Sequence, residues 1–588
     1  MKEFFKFMFA SMLGFFLTLV ILFFIFTAIF MAVISFAASE DITVDANSIL
    51  HLRLTEEIHD RTPSSPFTID FNGNIKPTPP GLNDIIHNLE KARGDNRIKG
   101  IFLDLTFLPS GMATIEEIRH LLNDFKESGK FIIAYGEGMS QKAYYLATVA
   151  DEIYLHPEGL LDFRGLSAEV TFIKGLLEKL DVEAQVIRHG KFKSAVEPLI
   201  RDQMSDENRE QYNKLINSVW EHMIGQISSS RDISVTELNQ IADDLIGLDA
   251  QRAFETGLVD SLLYKDELLS ILAGKTGIDE VKKKHLVSLG DYNKVADPEP
   301  RSGSRNKVAV IFATGDIMGG EGSEMSIGSK LISREIRKAR LSENVKSVVF
   351  RVNSPGGDAL ASDVIWREVL LTSQVKPVVV SMGNLAASGG YYVSCAADKI
   401  IAHPSTITGS IGVFGVIPNF EKMFKNKLGI TFDDVQTNEN SKFMSVTKPL
   451  TPYQREVFTR FIDDIYETFV NHVAEARDMT YEEVDEIAQG RVWSGSDAKM
   501  LGLVDEFGGL QYAIKTSADL AGIEDYRIVE YPVQKDPILQ LMEDMFGSKA
   551  SELLEKHLGN NYRVFKRMQG MHEFKGVQAR LPVELEMQ

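Results

Sequence analysis

Apolar positions along this chain follow three rhythms, and each predicts a different element. From Phe7 to Ser39 thirty-three consecutive residues carry no charge, in "FMFASMLGFFLTLVILFFIFTAIFMAVISFAAS". As helix that run reaches about 50 Å, against a hydrocarbon layer of about 30 Å, so it predicts one membrane span. A cleavable leader has a shorter apolar core, and although "SFAAS" is similar to a cleavage site, an uncleaved anchor fits the length better. Further along, strand-like and amphipathic runs alternate. "IKGIFLDL" reads as a strand, and "KFIIAY" as another. Between them "TIEEIRHLLNDFKESG" places Ile115, Ile118, Leu121, Leu122 and Phe125 on one helical face, opens with a Thr114-to-Glu117 capping-box pattern and ends at Gly129. The third rhythm is "KPVVVSM", continuous and β-branched like a buried strand, followed by "YYVSCAAD", small and apolar enough for a packed helix. Ser388, Gly389 and Gly390 fall in the turn between these two.

The alternation occurs twice. "ARGDNRIKGIFLDL" (Ala92 to Leu105) matches "ARLSENVKSVVFRV" (Ala339 to Val352), and "AYYLATVADEIYLHP" (Ala143 to Pro157) matches "GYYVSCAADKIIAHP" (Gly390 to Pro404), both at an offset of 247 residues. A constant offset held this far marks an internal duplication. Repeated βαβ units imply an α/β fold with parallel strands, whose ligands bind near the strand carboxyl ends. The expected organisation is a stub and anchor over 1–40, a first repeat domain over 41–295, a linker over 296–306, a second repeat domain over 307–540 and a C-terminal extension over 541–588. Proline, glycine, serine and charge around "DYNKVADPEPRSGSRNK" mark the linker. The extension carries no assignable motif.

Composition narrows the function classes. A net charge of −20 with no offsetting basic cluster argues against a nucleic-acid partner. The single cysteine, Cys395, reads as a small core residue and leaves no intramolecular disulfide and no cysteine metal site. There is no phosphate-cradling Walker pattern, so no nucleotide is expected, and no metal or other cofactor. Lys2 and Lys6 precede the span while Glu40 and Asp41 follow it. The excess of basic residues on one side places the N-terminus in the cytoplasm and the rest of the chain across the membrane, which in a bacterium is the periplasm.

Differences between the two copies point to chemistry. Ser388, Gly389 and Gly390 face Gln141, Lys142 and Ala143, and "NSPGGD" (Asn353 to Asp358) faces "TFLPSG" (Thr106 to Gly111). Glycine turns that served only the fold would be needed in both copies. A serine in a strand-to-helix turn gains from unpaired backbone N–H groups that favour a developing oxyanion. The asymmetry reverses at "LDVEAQVIRHGKFKSAVEPL", where Lys193 stands opposite Met444. One copy thus offers a nucleophile without a base, the other a base without a nucleophile. A lysine becomes a base once desolvation lowers its pKa. His156 and His403 occupy equivalent places in both copies, which favours structural roles.

Together "GNLAASGGYYVSCAADKI", "NSPGGDALAS", "TITGSIGVFG" and "GKFKSAVEPLIRDQMSDENREQ" resemble the signal peptide peptidase family, also called protease IV, in its long tandem-domain form. The resemblance spans essentially the whole chain, anchor included. It implies two tandem domains with the fold of crotonases and the Clp protease (repeated β-β-α units) behind one N-terminal transmembrane helix. It also implies a serine endopeptidase with a Ser-Lys dyad that degrades cleaved signal peptides without ATP. Carried over residue by residue, Ser388 matches the nucleophile and Lys193 the general base, with Lys191 the nearby competitor. Gly389 and either Gly356 or Gly357 match the oxyanion donors, and Ser410 in "TGSIGV" a position that orients the lysine. The family further implies a homo-oligomeric ring such as a tetramer, enclosing the sites above the bacterial inner membrane. The competing readings are a related membrane-bound protease with another substrate, a crotonase-like acyl-CoA enzyme and a non-catalytic membrane scaffold.

Overall fold

The computed structural model describes residues 2–37, 43–65, 67–69, 75–297, 303–534 and 577–580. The uncharged N-terminal run is a single helix, Lys2–Ala37. Within it Lys6–Ile25 has a mean hydropathy of 2.6 and none of that stretch is buried, as suits a membrane-crossing helix. Part of the expected linker and most of the C-terminal extension lie outside the described residues.

Each copy builds a sheet around a parallel core. In the first copy the six strands of the main sheet are all parallel, in the order Ser261–Leu262, Glu152–Asp162, Phe131–Ser140, Ile98–Asp104, Ser48–Leu52, Leu286–Ser288. The second copy repeats the centre of this arrangement. Val345–Ser354 lies between Lys307–Thr314 and Val378–Ala387, parallel to both. Strand Phe131–Ser140 and strand Val378–Ala387 are equivalent at the 247-residue offset, end for end. The reason is visible in burial: Val378 through Gly383 are all buried, as expected of a strand covered on both faces, so the run needs no polar alternation.

A third sheet belongs to neither copy alone. Its order is Gly322–Ser323, Ser326–Gly328, Asp316–Met318, Gly356–Asp358, Val577–Arg580, Val413–Asn419, Glu183–His189. Glu183–His189, from the first copy, pairs antiparallel with Val413–Asn419 of the second over seven residues, Glu183 opposite Asn419 and His189 opposite Val413. The sheet also accepts four residues from the C-terminal extension.

The two halves share apolar packing as well. One core cluster runs from Leu50, Ile101 and Leu122 of the first copy to Val349, Val379 and Ala513 of the second. Charge is buried at the same boundary. Arg351 is fully buried, with Nε 2.7 Å from Asp60 Oδ1 and Nη2 3.1 Å from Glu117 Oε2.

One local expectation fails here. The helix at Thr114 begins two residues earlier, Met112–Lys126, with Gly111 at its N-cap, so Thr114 and Glu117 form no capping box. The Thr114 N–H donates instead to Asn384 Oδ1 of the second copy at 3.0 Å, and Glu117 turns to Arg351. A partner from across the domain boundary has replaced the local cap.

Candidate active site

Strand Val378–Ala387 ends at Ser388, and helix Gly389–Ser394 begins at once. Ser388 holds φ 54° and ψ −115°, a left-handed backbone that costs energy for a residue with a Cβ. Two backbone hydrogen bonds hold it there: its N–H donates to the Gly409 carbonyl at 2.8 Å, and its carbonyl accepts from the Tyr392 N–H at 2.8 Å. The turn therefore presents Oγ at the end of a rigid strand.

Lys193 reaches this serine from the first copy. The cross-copy pairing of Glu183–His189 delivers the chain to Gly190, whose φ of 95° turns it inward, and the Phe192 N–H donates to the Gln489 carbonyl at 2.9 Å. Lys193 Nζ then lies 2.7 Å from Ser388 Oγ, 3.0 Å from the Ser410 carbonyl and 3.0 Å from Ser410 Oγ. Both Lys193 and Ser388 are fully buried. Burial alone holds the lysine well below its ordinary pKa, because removing an ammonium from water disfavours the charged form.

The loop carrying the lysine is braced. Arg188 Nη1 donates to the Lys193 carbonyl at 3.0 Å, and Gln211 Nε2 donates to Ser194 Oγ at 2.7 Å and to the Phe192 carbonyl at 3.1 Å. Across from it, Gly490 packs so closely that an added Cβ would lie 2.6 Å from Lys193 Cβ. Gly490 and these bracing residues escaped the sequence reading. Their only signal would have been a glycine far along the chain, with nothing to tie it to the lysine.

Gly356, in strand Gly356–Asp358, runs beside Gly389. A Cβ on Gly356 would stand 2.7 Å from the Gly389 nitrogen and would collide with the Ala579 carbonyl oxygen; with φ 102° the position suits glycine alone. Its own N–H is already donated to Ser354 Oγ at 3.1 Å. Gly357 neighbours it in the same strand, opposite Ala579. Ser410, also at positive φ, donates its hydroxyl to the Gly490 carbonyl at 3.3 Å while facing Lys193.

Other candidates lie elsewhere. Lys191 is exposed, its Nζ over the Phe192 ring. His403 is buried, 3.4 Å from Glu117 and stacked near His120, among the charges between the copies. Cys395 is a buried free thiol. Glu116, His120 and His403 bring possible metal-ligand atoms within 4.8 Å of one another, but the Glu116 oxygens already accept hydrogen bonds from His222 and from Ser405 Oγ, each at 2.6 Å.

A serine on a strained strand-to-helix turn of an α/β unit is a feature of serine hydrolases, and comparison with known proteins narrows the class to the serine peptidases. Peptidase family S49 matches the chain twice, over residues 124–279 and 371–524, two matches that begin at the same 247-residue spacing as the internal repeat. The chain belongs to peptidase family S49, in its protease 4 (SppA) branch. It is 38% identical to protease 4 of Salmonella typhi over 81% of this chain and 77% of that protein. It is 35% identical to protease 4 of Haemophilus influenzae over 83% and 82%, respectively. With the chloroplastic serine protease SPPA of Arabidopsis thaliana it shares 33% identity over 82% of this chain and 70% of that one. Among solved structures, a ClpP1 mutant from Listeria monocytogenes aligns with a TM-score of 0.24 and 17% identity, covering 35% of this chain and 94% of that one.

Proposed function

We propose that this S49 peptidase is a membrane-anchored endopeptidase that cuts released signal peptides and similar apolar peptides, with Ser388 as nucleophile and Lys193 as general base. The observation that carries the reading is the buried 2.7 Å approach of Lys193 Nζ to Ser388 Oγ. A neutral amine has two N–H donors and one lone pair. The Ser410 carbonyl and Oγ accept the two donors, which leaves the lone pair for the Ser388 hydroxyl proton.

In the proposed mechanism the serine hydroxyl donates to Nζ and transfers its proton as Oγ attacks the peptide carbonyl. The tetrahedral oxyanion accepts from the Gly389 N–H and from a glycine of "SPGG". Of the two, Gly357 is favoured, since the Gly356 N–H is committed to Ser354; Gly356 serves by lacking a Cβ. The lysine passes the proton to the leaving amine, and water activated by the same lysine releases the acyl-enzyme. The dyad forms within one chain in this reading, between a first domain over 41–295 and a second over 307–540. The helix Lys2–Ala37 anchors the chain in the inner membrane with its N-terminus in the cytoplasm, and the catalytic domains assemble in the periplasm as a homo-oligomer such as a tetramer.

The test is hydrolysis of fluorogenic apolar peptides and of a synthetic signal peptide by the detergent-solubilised full chain, beside Ser388→Ala and Lys193→Ala. Both variants should remain folded and lose roughly a thousandfold or more in kcat. Variants that cleave as well as the parent would show the dyad to be wrong. A parent that cleaves apolar peptides but spares signal peptides would move the substrate elsewhere.

A further inference from the structure

Each copy carries a long helix of the same length, Asp206–Arg231 and Pro452–Arg477, matching end for end at an offset of 246 residues. Each helix ties itself to the segment that follows through one aromatic side chain. In the first copy Trp220 Nε1 donates to Asn239 Oδ1 at 2.9 Å. At the same offset the second copy has Tyr466 and Asp485, and the Tyr466 hydroxyl donates to Asp485 Oδ1. Tyrosine in place of tryptophan adds one capacity, since an indole N–H only donates whereas a phenol hydroxyl donates and accepts. The second copy uses it. The Gln489 backbone N–H and side-chain Nε2 each donate to the Tyr466 hydroxyl oxygen at 3.3 Å, and Nε2 also donates to Asp485 Oδ1. A join between helices needs only the donor; the acceptor serves Gln489.

Gln489 connects this join to the site. It holds φ 54°, a left-handed backbone that costs energy for a residue with a Cβ. Its carbonyl accepts the Phe192 N–H at 2.9 Å, one residue before Lys193. Gly490, next in the chain, packs against Lys193 on one side. On the other its N–H donates to the Ile411 carbonyl at 2.7 Å and its carbonyl accepts from Ser410 Oγ at 3.3 Å. One turn therefore holds both the loop that brings the amine and the residue that accepts the amine's N–H groups. Tyr466 reaches the lysine by a second route as well. Its ring is fully buried and stacks on His189, centroids 3.9 Å apart, and His189 ends the strand that delivers Lys193.

We propose that Tyr466 and Gln489 are positioning residues for the reaction: the tyrosine hydroxyl pins the strained Gln489 turn, and the turn clamps Lys193 between Gly490 and Ser410, dry and with its lone pair on Ser388. The assignment rests on the dyad reading for its effect on rate. Among the described residues neither side chain is hydrogen-bonded to Lys193 Nζ or Ser388 Oγ, so both act through the backbone of the turn. Loosening that turn lets water reach the lysine, which favours the charged amine and removes the base at neutral pH. The signature differs from an ordinary loss of stability. Activity falls at pH 7 and returns as pH rises, because alkaline solution restores the neutral amine.

The experiment uses the detergent-solubilised full chain and fluorogenic apolar peptides, with kcat and KM followed from neutral to alkaline pH. Tyr466→Phe keeps the ring on His189 and removes the hydroxyl. At pH 7 its kcat should fall roughly tenfold or more with KM within about twofold of the parent's, and the loss should shrink as pH rises. Gln489→Gly, which relieves the left-handed backbone and so spares the fold, should give the same pattern. Trp220→Phe removes the equivalent join in the first copy and should leave kcat and its pH dependence as in the parent. Hydrogen exchange read by mass spectrometry needs no activity: amides of residues 190–196 should exchange at least roughly tenfold faster in Tyr466→Phe and at the parent's rate in Trp220→Phe. Parental kcat with parental exchange in Tyr466→Phe, a rate loss that ignores pH, or equal losses in Tyr466→Phe and Trp220→Phe overturns the proposal. Faster exchange over 190–196 with parental kcat, or in a chain whose parent hydrolyses nothing, leaves the clamp standing and removes Lys193 as the base.

Discussion

Lys193 is costly to the fold and useful to the site for the same reason. Its amine is fully buried, and burial alone depresses its pKa. At any pH below the free-lysine value of 10.5 where the folded amine is already neutral, the unfolded chain binds a proton that the folded chain does not, so this residue makes stability rise with pH. Lys193→Met should therefore abolish hydrolysis and yet raise the unfolding temperature at pH 7 by roughly a few degrees, the gain shrinking as pH approaches 10.5. Calorimetry of parent and variant across that range checks the sign. The same shift predicts a kcat/KM that climbs with pH and levels off well below 10.5, since only the neutral amine accepts the serine proton. A profile that keeps climbing to 10.5 would mean an exposed base.

At the scale of elements, the instructive case is helix Met112–Lys126. Its sequence carries a capping-box pattern at Thr114, but the helix starts at Met112 and takes its support from Asn384 of the second copy, whose Oδ1 accepts the Thr114 N–H and whose Nδ2 donates to Thr114 Oγ1 at 2.8 Å. Asn384 lies on the strand that ends at Ser388, so one side chain joins the first copy's helix to that strand. Asn384→Ala should cost about 1 kcal/mol, in the range of a lost helix cap. Urea unfolding should show it as a lower midpoint with an unchanged m-value. A loss confined to activity would mean that the contact positions Ser388 without holding the domains.

Over the whole molecule, the join between the copies is a buried charge cluster. Burial opposes ionisation of Glu117, but Arg351 and then His403 outweigh it and push its pKa down to about 2. Burial likewise opposes ionisation of Glu116, and His222 and His403 push it down to about 2. Both folded values lie below the ordinary 4.5, so the stabilisation is present above 4.5 and is lost as pH falls from 4.5 through about 2. Acid should loosen the domain boundary in that window, which tryptophan fluorescence and limited proteolysis can follow. Arg351→Met leaves Asp60 and Glu117 buried without their partner and should destabilise by about 3–5 kcal/mol. At offset 247 Arg351 faces Asp104, so the duplicated halves have diverged into unlike members of one interface.

Much of this was legible in the chain because it is local or repeated. The N-terminal apolar helix follows from an uncharged run, the buried strands from β-branched stretches, and the duplication from a constant offset that the fold preserves in strands Phe131–Ser140 and Val378–Ala387. Ser388 and Lys193 stood out because each copy lacks what the other has, and the folded chain brings them to 2.7 Å. Periodicity carries no information about which strand edges meet across 200 residues. The pairing of Glu183–His189 with Val413–Asn419, the fit of Gly490 against Lys193, the cap from Asn384 and the seating of Val577–Arg580 beside Gly356 depend on backbone edges and close contacts between remote segments. Such contacts form only when the two halves dock, because hydrogen-bonding edges and burial are properties of the assembled sheet and core.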